Sequence, residues 1–262
     1  MKPDRSTDIA VVIPTVCRDT LKRAVESVFA QRFAGTVQIL IGVDVDLFGH
    51  HDALRQSLEA QCPSHMTLTW LDLGYSTSRR HGGVHSCQFG GALRSILTLC
   101  AQSAIVTYLD DDDWYDPSHL DHIKVAIDGK HWAYSLCWYA DSDESRVLYA
   151  DEMESVGPDK GIYRKIGGFV RPSALAINKL AVPHVVPLWA HSVMPNGDGE
   201  DRLVFALLRR VPSFGCTGSS TVFYALDPRD DMHRIRVAFL KSRGVTFDAA
   251  KRRGSVRHPL AA

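Results

Sequence analysis

The sequence lacks the features that mark a zinc module, a secreted protein or a membrane protein. None of its six cysteines stands in a CxxC pair, which argues against a zinc knuckle. We interpret them as buried, reduced thiols of an intracellular protein. No apolar run approaches the roughly 20 residues of a membrane-spanning helix, and the polar start contains no signal-peptide core. We therefore expect a cytoplasmic protein, with peripheral contact at the inner face of a membrane left open.

An excess of charge of either sign is also absent, because 30 Lys and Arg residues balance 30 Asp and Glu residues. This balance gives no reason to expect a nucleic-acid partner. The chain is 45% hydrophobic, which excludes disorder over its whole length. Its 262 residues contain no repeat, low-complexity tract or clear linker, so we expect residues 1–262 to form a single domain.

Strand and helix patterns alternate along the first half of the chain. Short apolar runs predict strands, and apolar positions three and four apart predict helices. The strands are predicted over 9–15, 37–43, 66–73 and 104–109, and the helices over 18–31, 52–60 and 86–103. In the less regular second half, strands are predicted over 131–140, 146–150, 174–177 and 221–226, and a helix over 200–210. The alternation is typical of an α/β fold, with a mostly parallel mixed sheet flanked by helices.

Acidic residues directly follow two of the buried strands, Asp44 after the second and residues 110–113 after the fourth. Proteins with such sheets bind ligands at the carboxyl ends of the strands. Clustered carboxylates repel one another unless a cation neutralises them, and oxygen ligands suit magnesium or manganese. In an extended segment Asp110 and Asp112 point the same way, so both are candidate ligands of one ion. The alternative is an acidic turn that caps the following helix, with Asp116 as its N-cap.

Four segments resemble, in order, the motifs of family-2 glycosyltransferases, which have the GT-A fold of the nucleotide-diphospho-sugar transferases. They are residues 12–18 (VIPTVCR), 108–117 (YLDDDDWYDP, similar to Asp-x-Asp-Asp), 167–169 (GGF) and 200–203 (EDRL). The resemblance covers roughly residues 9 to 210. It implies a nucleotide-sugar-binding half at about 9–115 and an acceptor-binding, catalytic half at about 116–230.

The resemblance also implies which residues bind the nucleotide. They are Pro14, Thr15, Arg18, Asp44, Asp46, Arg80, Asp110 and Asp111. Asp44 would meet the base ring, with Asp46 as a second candidate for that role. Asp110 would contact the ribose, and Arg80 would lie near the base or the phosphates.

Metal and catalytic residues follow from the same resemblance. Asp112, together with Asp110, would hold the metal on the diphosphate, and His233 is a candidate further ligand, although a surface histidine beside acids is the commoner case. Asp201 would be the general base that takes the acceptor hydroxyl proton, with Glu200 beside it. A helix start favours the ionised form of Asp201. Simple helix-start chemistry is the alternative explanation for this acidic pair.

The function implied is that of an inverting glycosyltransferase that depends on manganese or magnesium. It would transfer a sugar from a nucleoside-diphosphate sugar, with UDP favoured, to a hydroxyl of a carbohydrate or glycolipid acceptor in glycan or polysaccharide synthesis. Two alternatives keep the fold: a nucleotidyltransferase, which the glycine-free segment 15–18 disfavours, and a non-catalytic carbohydrate- or partner-binding domain, which the altered segment 86–90 (SCQFG) keeps open. The oligomeric state is open.

The end of the chain, residues 231–262, is rich in basic residues. They are Arg234, Arg236, Lys241, Arg243, Lys251, Arg252, Arg253 and Arg257. Such a tail suits contact with anionic lipid or a partner. The alternative is a solvated helix followed by a frayed terminus.

Overall fold

A mixed β-sheet runs through the protein, whose computed structural model describes residues 6–141 and 146–246. Its strands are β1 (Ile9–Thr15), β2 (Val37–Val43), β3 (Met66–Asp72), β4 (Ile105–Tyr108), β5 (Trp114–Tyr115), β6 (Trp132–Asp141), β7 (Arg146–Ala150), β10 (Leu175–Asn178) and β11 (Phe214–Leu226). The strand order is β3-β2-β1-β4-β10-β6-β11-β5, and β7 pairs with β6. A separate small sheet joins β8 (Gly157–Pro158) to β9 (Gly168–Phe169).

Helices flank this sheet. They are α1 (Thr20–Phe29), α2 (His51–Gln61), α3 (Gly91–Cys100), α4 (His119–Ile127), α5 (Glu200–Leu208) and α6 (His233–Ser242). Short 3-10 turns occur at Arg79–His81, Arg164–Ile166, Pro172–Ala174 and Val186–Ala190. No helix in the described ranges combines the length and the apolarity needed to cross a bilayer.

The first half of the chain forms the parallel part of the sheet. β1 pairs in parallel with both β2 and β4, and β2 pairs in parallel with β3. Every residue of β1 and β2 is buried, which explains why these strands are continuous apolar runs. α3 packs closely on them, since a Cβ added at Gly42 would lie 2.8 Å from the Leu97 side chain.

The second half adds strands of both directions. β10 pairs antiparallel with β4 and with β6, β11 runs parallel to β6, and β5 returns antiparallel to β11. The acidic segment 110–113 therefore connects two strands of one sheet, β4 and β5. The structure confirms the predicted α/β fold with a mixed sheet between helices.

The basic C-terminal region is only partly described. Lys251, Arg252, Arg253 and Arg257 lie outside the described residues. Arg236 does not belong to a solvated face, because α6 packs on the protein and leaves this residue 5% exposed. Its Nε lies 2.5 Å from Glu154 Oε2. Arg236 is therefore a buried residue that forms an ion pair inside the fold.

Candidate active site at the carboxyl edge of the sheet

Three strand ends meet at one edge of the sheet. The backbone N–H of Asp44, after β2, donates to the carbonyl oxygen of Thr15 at the end of β1, at 2.9 Å. The Thr15 hydroxyl in turn donates to Asp111 Oδ2, beyond β4, at 2.7 Å. Thr15, Asp44 and Asp111, three of the residues that the sequence resemblance assigned to the nucleotide pocket, therefore lie together at this edge.

The positive charge of Arg18 offsets part of the negative charge of the acidic segment. Arg18 Nη1 lies 2.9 Å from Asp112 Oδ2 and 3.3 Å from Asp111 Oδ1. Burial, followed by repulsion from Asp111, raises the pKa of Asp112 to about 6, while Arg18 opposes that rise. Asp112 nevertheless keeps 35% of its side chain exposed, so a ligand in the cleft can reach it.

Asp113, the last residue of the acidic segment, and Asp116, which follows β5, have structural roles. Asp113 is 1% exposed and accepts hydrogen bonds from the Ser173 hydroxyl at 2.6 Å and the Ala225 backbone N–H at 3.0 Å. Asp116 accepts from the backbone N–H and the hydroxyl of Ser118, just before α4. The alternative that Asp116 is the N-cap of this helix is wrong, because Ser118 holds that position. Asp116 orders the turn before α4 through its hydrogen bonds with Ser118.

Asp44 organises the loop that follows β3. It is 6% exposed and accepts from the Ser76 hydroxyl at 2.8 Å and the Thr77 backbone N–H at 3.0 Å. The Nδ1 atom of His81 lies 2.9 Å from Asp44 Oδ2, the oxygen that also accepts from Ser76. Arg80, in the same loop, is exposed, and its guanidinium carbon lies 5.3 Å from the centre of the Phe89 ring.

Asp46 has a different environment from Asp44. Its carboxylate accepts backbone N–H groups of Phe48, His50 and His51 at 3.1 to 3.2 Å, at the start of α2. Burial would raise the pKa of Asp46, but these backbone hydrogen bonds outweigh it and lower that pKa. Both carboxylates are therefore engaged within the protein, Asp44 with the loop after β3 and Asp46 with the backbone that leads into α2, and the role of either residue towards a nucleotide stays a prediction.

Arg94 joins the acidic segment to the start of α5, and sequence analysis missed it. It lies on α3, is 4% exposed, and its guanidinium is hydrogen-bonded to Asp110. Its Nη1 also lies 3.8 Å from Glu200 Oε1 and donates to the Phe89 carbonyl oxygen at 2.6 Å. Asp110 and Glu200, 90 residues apart in the chain, therefore share one buried cation.

The acidic pair at the start of α5 differs in burial. Burial raises the pKa of Glu200, which is 4% exposed, to about 7, although Arg94 opposes this. Asp201 is half-buried, and burial raises its pKa too, against the backbone N–H and charge of Arg202, which lower it. The sequence predicts that the helix start favours the ionised form of Asp201. Burial, which favours the protonated form, is the largest influence on the pKa of Asp201 in the structure.

His233 is the first residue of α6 and is 9% exposed. Burial and the charge of Arg236 lower the pKa of His233, which favours its neutral form. Its Nδ1 has no hydrogen-bond partner. Among the described residues, no three His, Cys, Asp or Glu side chains are grouped to hold a metal ion by themselves. Protein ligands alone therefore do not complete a metal site here.

Similarity to known proteins lies in structure and not in sequence. No family model and no curated protein matches the chain. The structure of S. aureus TarS superposes with a TM-score of 0.59 at 13% identity, over 93% of this chain and 41% of TarS. TarS 1-349 in complex with UDP-GlcNAc gives 0.58 at 12% identity, over 93% of this chain and 68% of that one.

A mannosyltransferase, PcManGT from Pyrobaculum calidifontis, gives a TM-score of 0.54 at 12% identity in its complex with GDP-Man and Mn2+. The alignment covers 90% of this chain and 61% of that one. The chain therefore has the fold of nucleotide-sugar glycosyltransferases, which confirms the fold that the sequence resemblance implied. It spans less than half of the length of TarS in its longer form.

Proposed function

We propose that the protein is a metal-dependent, inverting glycosyltransferase that uses a nucleoside-diphosphate sugar, with UDP as the favoured nucleoside. The observation that supports this most is the grouping of Thr15, Asp44 and the acidic segment 110–112 at one sheet edge, in this fold. Structures of the same fold bind UDP-GlcNAc, and GDP-Man with Mn2+. Asp44 would face the base and Asp110 the ribose, with Arg18 and Arg80 near the phosphates.

The residues at this edge fit a divalent cation. Asp110 and Asp112 offer only carboxylate oxygens, and their side chains are 29% and 35% exposed. Magnesium is usually bound by one or two carboxylates together with the phosphates of the substrate. A site without three protein ligands is therefore the expected form of such a centre, and His233 is a candidate additional ligand. The ion would stabilise the negative charge of the departing diphosphate.

Asp201 is the proposed general base. A carboxyl group whose pKa is raised by burial binds a proton more strongly than an exposed one, which suits it to accept a proton from an acceptor hydroxyl. The hydroxyl oxygen then forms a bond to the anomeric carbon while the bond to the diphosphate breaks. A single displacement inverts the anomeric centre. Glu200, fixed by Arg94, holds the start of α5 against the donor side.

Calorimetric titration with UDP, GDP and ADP, with and without manganese, tests the donor site. We expect one diphosphate to bind more tightly when manganese is present. In Asp112→Ala, manganese should no longer increase the affinity for that diphosphate. Asp128→Ala, at an exposed aspartate after α4, is the matched control. Failure of every diphosphate to bind would contradict the proposal and favour a non-catalytic domain.

Turnover separates the transferase from a binding domain of the same fold. We expect Asp201→Asn to lower the release of nucleoside diphosphate from the donor by about 10²–10⁴-fold, the usual contribution of a positioned base. Nucleotide affinity should be unchanged, because Asp201 lies on the acceptor side. Full turnover in this variant would assign the base to another residue.

The site of action also belongs to the proposal. We propose that the protein works in the cytoplasm, on a carbohydrate or glycolipid acceptor, with peripheral contact at the inner face of a membrane. The exposed Arg234 and the basic residues beyond 246 favour an anionic surface. Co-sedimentation with anionic vesicles, and its loss in high salt, tests this contact.

A further inference from the structure

A cavity of about 250 Å³ lies beside the start of α5, outside the residues assigned above. Its apolar lining residues are Ile166, Phe169, Val193, Leu203, Phe205 and Ala206. Among the described residues that line it, Arg202 is the one that carries a charge. The volume suits one aromatic ring or a short alkyl chain, and is too small for an extended oligosaccharide.

The cavity lies along the helix that carries the proposed catalytic base. Leu203 and Ala206 come from α5, the helix that begins with Glu200 and Asp201. Val193 crosses over the start of this helix, because a Cβ added at Gly199 would lie 2.7 Å from Val193 Cγ2. A group in the cavity would therefore lie against the helix that begins with Glu200 and Asp201.

One wall of the cavity consists of aromatic rings and of the Arg202 guanidinium, which stacks on a further ring. The Phe169 and Phe205 rings meet edge to face with their centres 6.1 Å apart. The Arg202 guanidinium carbon lies 4.6 Å from the centre of the Tyr163 ring, and Nη2 donates to the Tyr163 hydroxyl at 3.2 Å. Much of the guanidinium is thus engaged within the protein, and a sugar in the cavity would leave several of its hydroxyls unpaired.

The mouth of the cavity is also apolar. Ile166 is 61% exposed and Val193 is 52% exposed, and both line the same cavity. Single exposed apolar side chains are ordinary, but several that frame one concave site mark a place where a ligand is bound. Burial of these side chains by an apolar ligand would release the water that covers them.

We propose that this cavity binds an aryl or short alkyl group carried by the acceptor, next to the hydroxyl that reacts. The inference rests on the proposed transferase function and narrows its acceptor class to sugars or alcohols with an apolar substituent. Free sugars would occupy the site near Asp201 without filling the cavity, and so would bind more weakly.

Paired acceptor analogues test this inference. Saturation-transfer NMR titrations, with UDP and manganese present, would compare 4-nitrophenyl glycosides with methyl glycosides of the same sugars. We expect at least about tenfold tighter binding of the aryl member of a pair, from burial of its ring. Val193→Asp and Ile166→Asp place a charge at the mouth of the cavity and should remove that preference. Leu180→Asp, at a 73% exposed apolar residue outside the lining, is the matched control and should keep it.

The outcomes separate this inference from the proposed function. Equal affinity for aryl and methyl glycosides, or a preference that survives both cavity variants, would overturn the inference while leaving the transferase proposal intact. Release of nucleoside diphosphate from a panel of donors, measured with the same acceptors, tests the transferase. An aryl preference with no release from any donor would overturn the acceptor role together with the transferase, and leave a binding site for apolar glycosides.

Discussion

Arg94 is the residue that the sequence pattern conceals most. It stands among Leu93, Ile96 and Leu97, whose spacing predicts an amphipathic helix, and nothing in that spacing distinguishes a buried arginine from an exposed one. Its partners, Asp110 and Glu200, lie 16 and 106 residues away, so the chemical reason for the residue appears only in three dimensions. The sequence signal for its burial was its position, because Arg94 directly follows Leu93 of the apolar stripe.

Removal of Arg94 should destabilise the protein. Arg94→Met would leave Asp110 and Glu200 without their shared cation, and loss of one partner of a buried ion pair costs about 3–5 kcal/mol. Urea denaturation measures the free energy of unfolding. Arg94→Lys, which keeps the charge but loses the forked geometry, should lose less stability. Equal stability of wild type and Arg94→Met would show that these carboxyl groups are protonated or solvated.

Glu200 should give the protein a specific pH dependence. Its pKa in the folded protein is about 7, against an ordinary value of 4.5. Between these values the folded protein binds a proton that the unfolded chain does not, so stability from this group falls as the pH rises from 4.5 to 7. Compared with Glu200→Gln, wild type should lose at most about 1.4 kcal/mol per pH unit in this window. A stability difference that is constant with pH would place the pKa of Glu200 near its ordinary value.

At the scale of elements, the bounds of a strand could be predicted where the strand is buried on both faces of the sheet. β1 and β2 match their predicted ranges because both are continuous apolar runs. α3 begins at Gly91 and not at residue 86, because Gln88 donates its backbone N–H to Gly197 and Gly90 takes a left-handed φ of +76°. Residues 214–220 (FGCTGSS) lack alternation, so the first half of β11 was not predicted.

A buried network of ion pairs links α6 to the segments that contain residues 151–154 and Arg171. No sequence motif predicted this network. Arg236 contacts Glu154 at 2.5 Å, and Arg171 contacts Asp151 at 3.1 Å and Glu154 at 3.6 Å. Arg236 also lies 2.8 Å from Asp230, in the connection between β11 and α6. The network thus fixes the segment that precedes His233.

Loss of Arg236 should therefore release α6. We expect Arg236→Met to lower the free energy of unfolding by about 3–5 kcal/mol, because Glu154 would remain buried beside fewer cations. Hydrogen exchange of α6 amides, together with urea denaturation, would locate the effect. Arg234→Met, at an exposed residue of the same helix, should change stability by less than about 0.5 kcal/mol. Similar effects of the two substitutions would show that the network does not hold α6.

At the scale of the molecule, topology brings together residues that the sequence separates. The parallel order of β2, β1 and β4 accounts for the meeting of Asp44, Thr15 and Asp111, which sequence analysis could predict from strand ends alone. The approach of α5 to this edge depends on α3 and on the 3-10 turn Val186–Ala190 packed between them. Since irregular segments have no periodic pattern, the sequence motifs singled out Glu200 and Asp201 but could not predict how far these residues lie from the acidic segment 110–113.

Because the proposed donor site draws residues from distant parts of the chain, nucleotide binding should stabilise the whole molecule. At a diphosphate concentration of 100 times Kd, binding to the folded state alone adds about 2.7 kcal/mol. For a chain of this size that corresponds to a rise in Tm of roughly 5–10 °C. Thermal unfolding with the diphosphate and manganese should show this rise, and EDTA or Asp112→Ala should reduce it sharply. Manganese alone should raise the Tm only slightly, because Asp110 and Asp112 need the phosphates to complete the metal site. A full rise in Tm with manganese alone would instead show that the protein forms a metal site by itself.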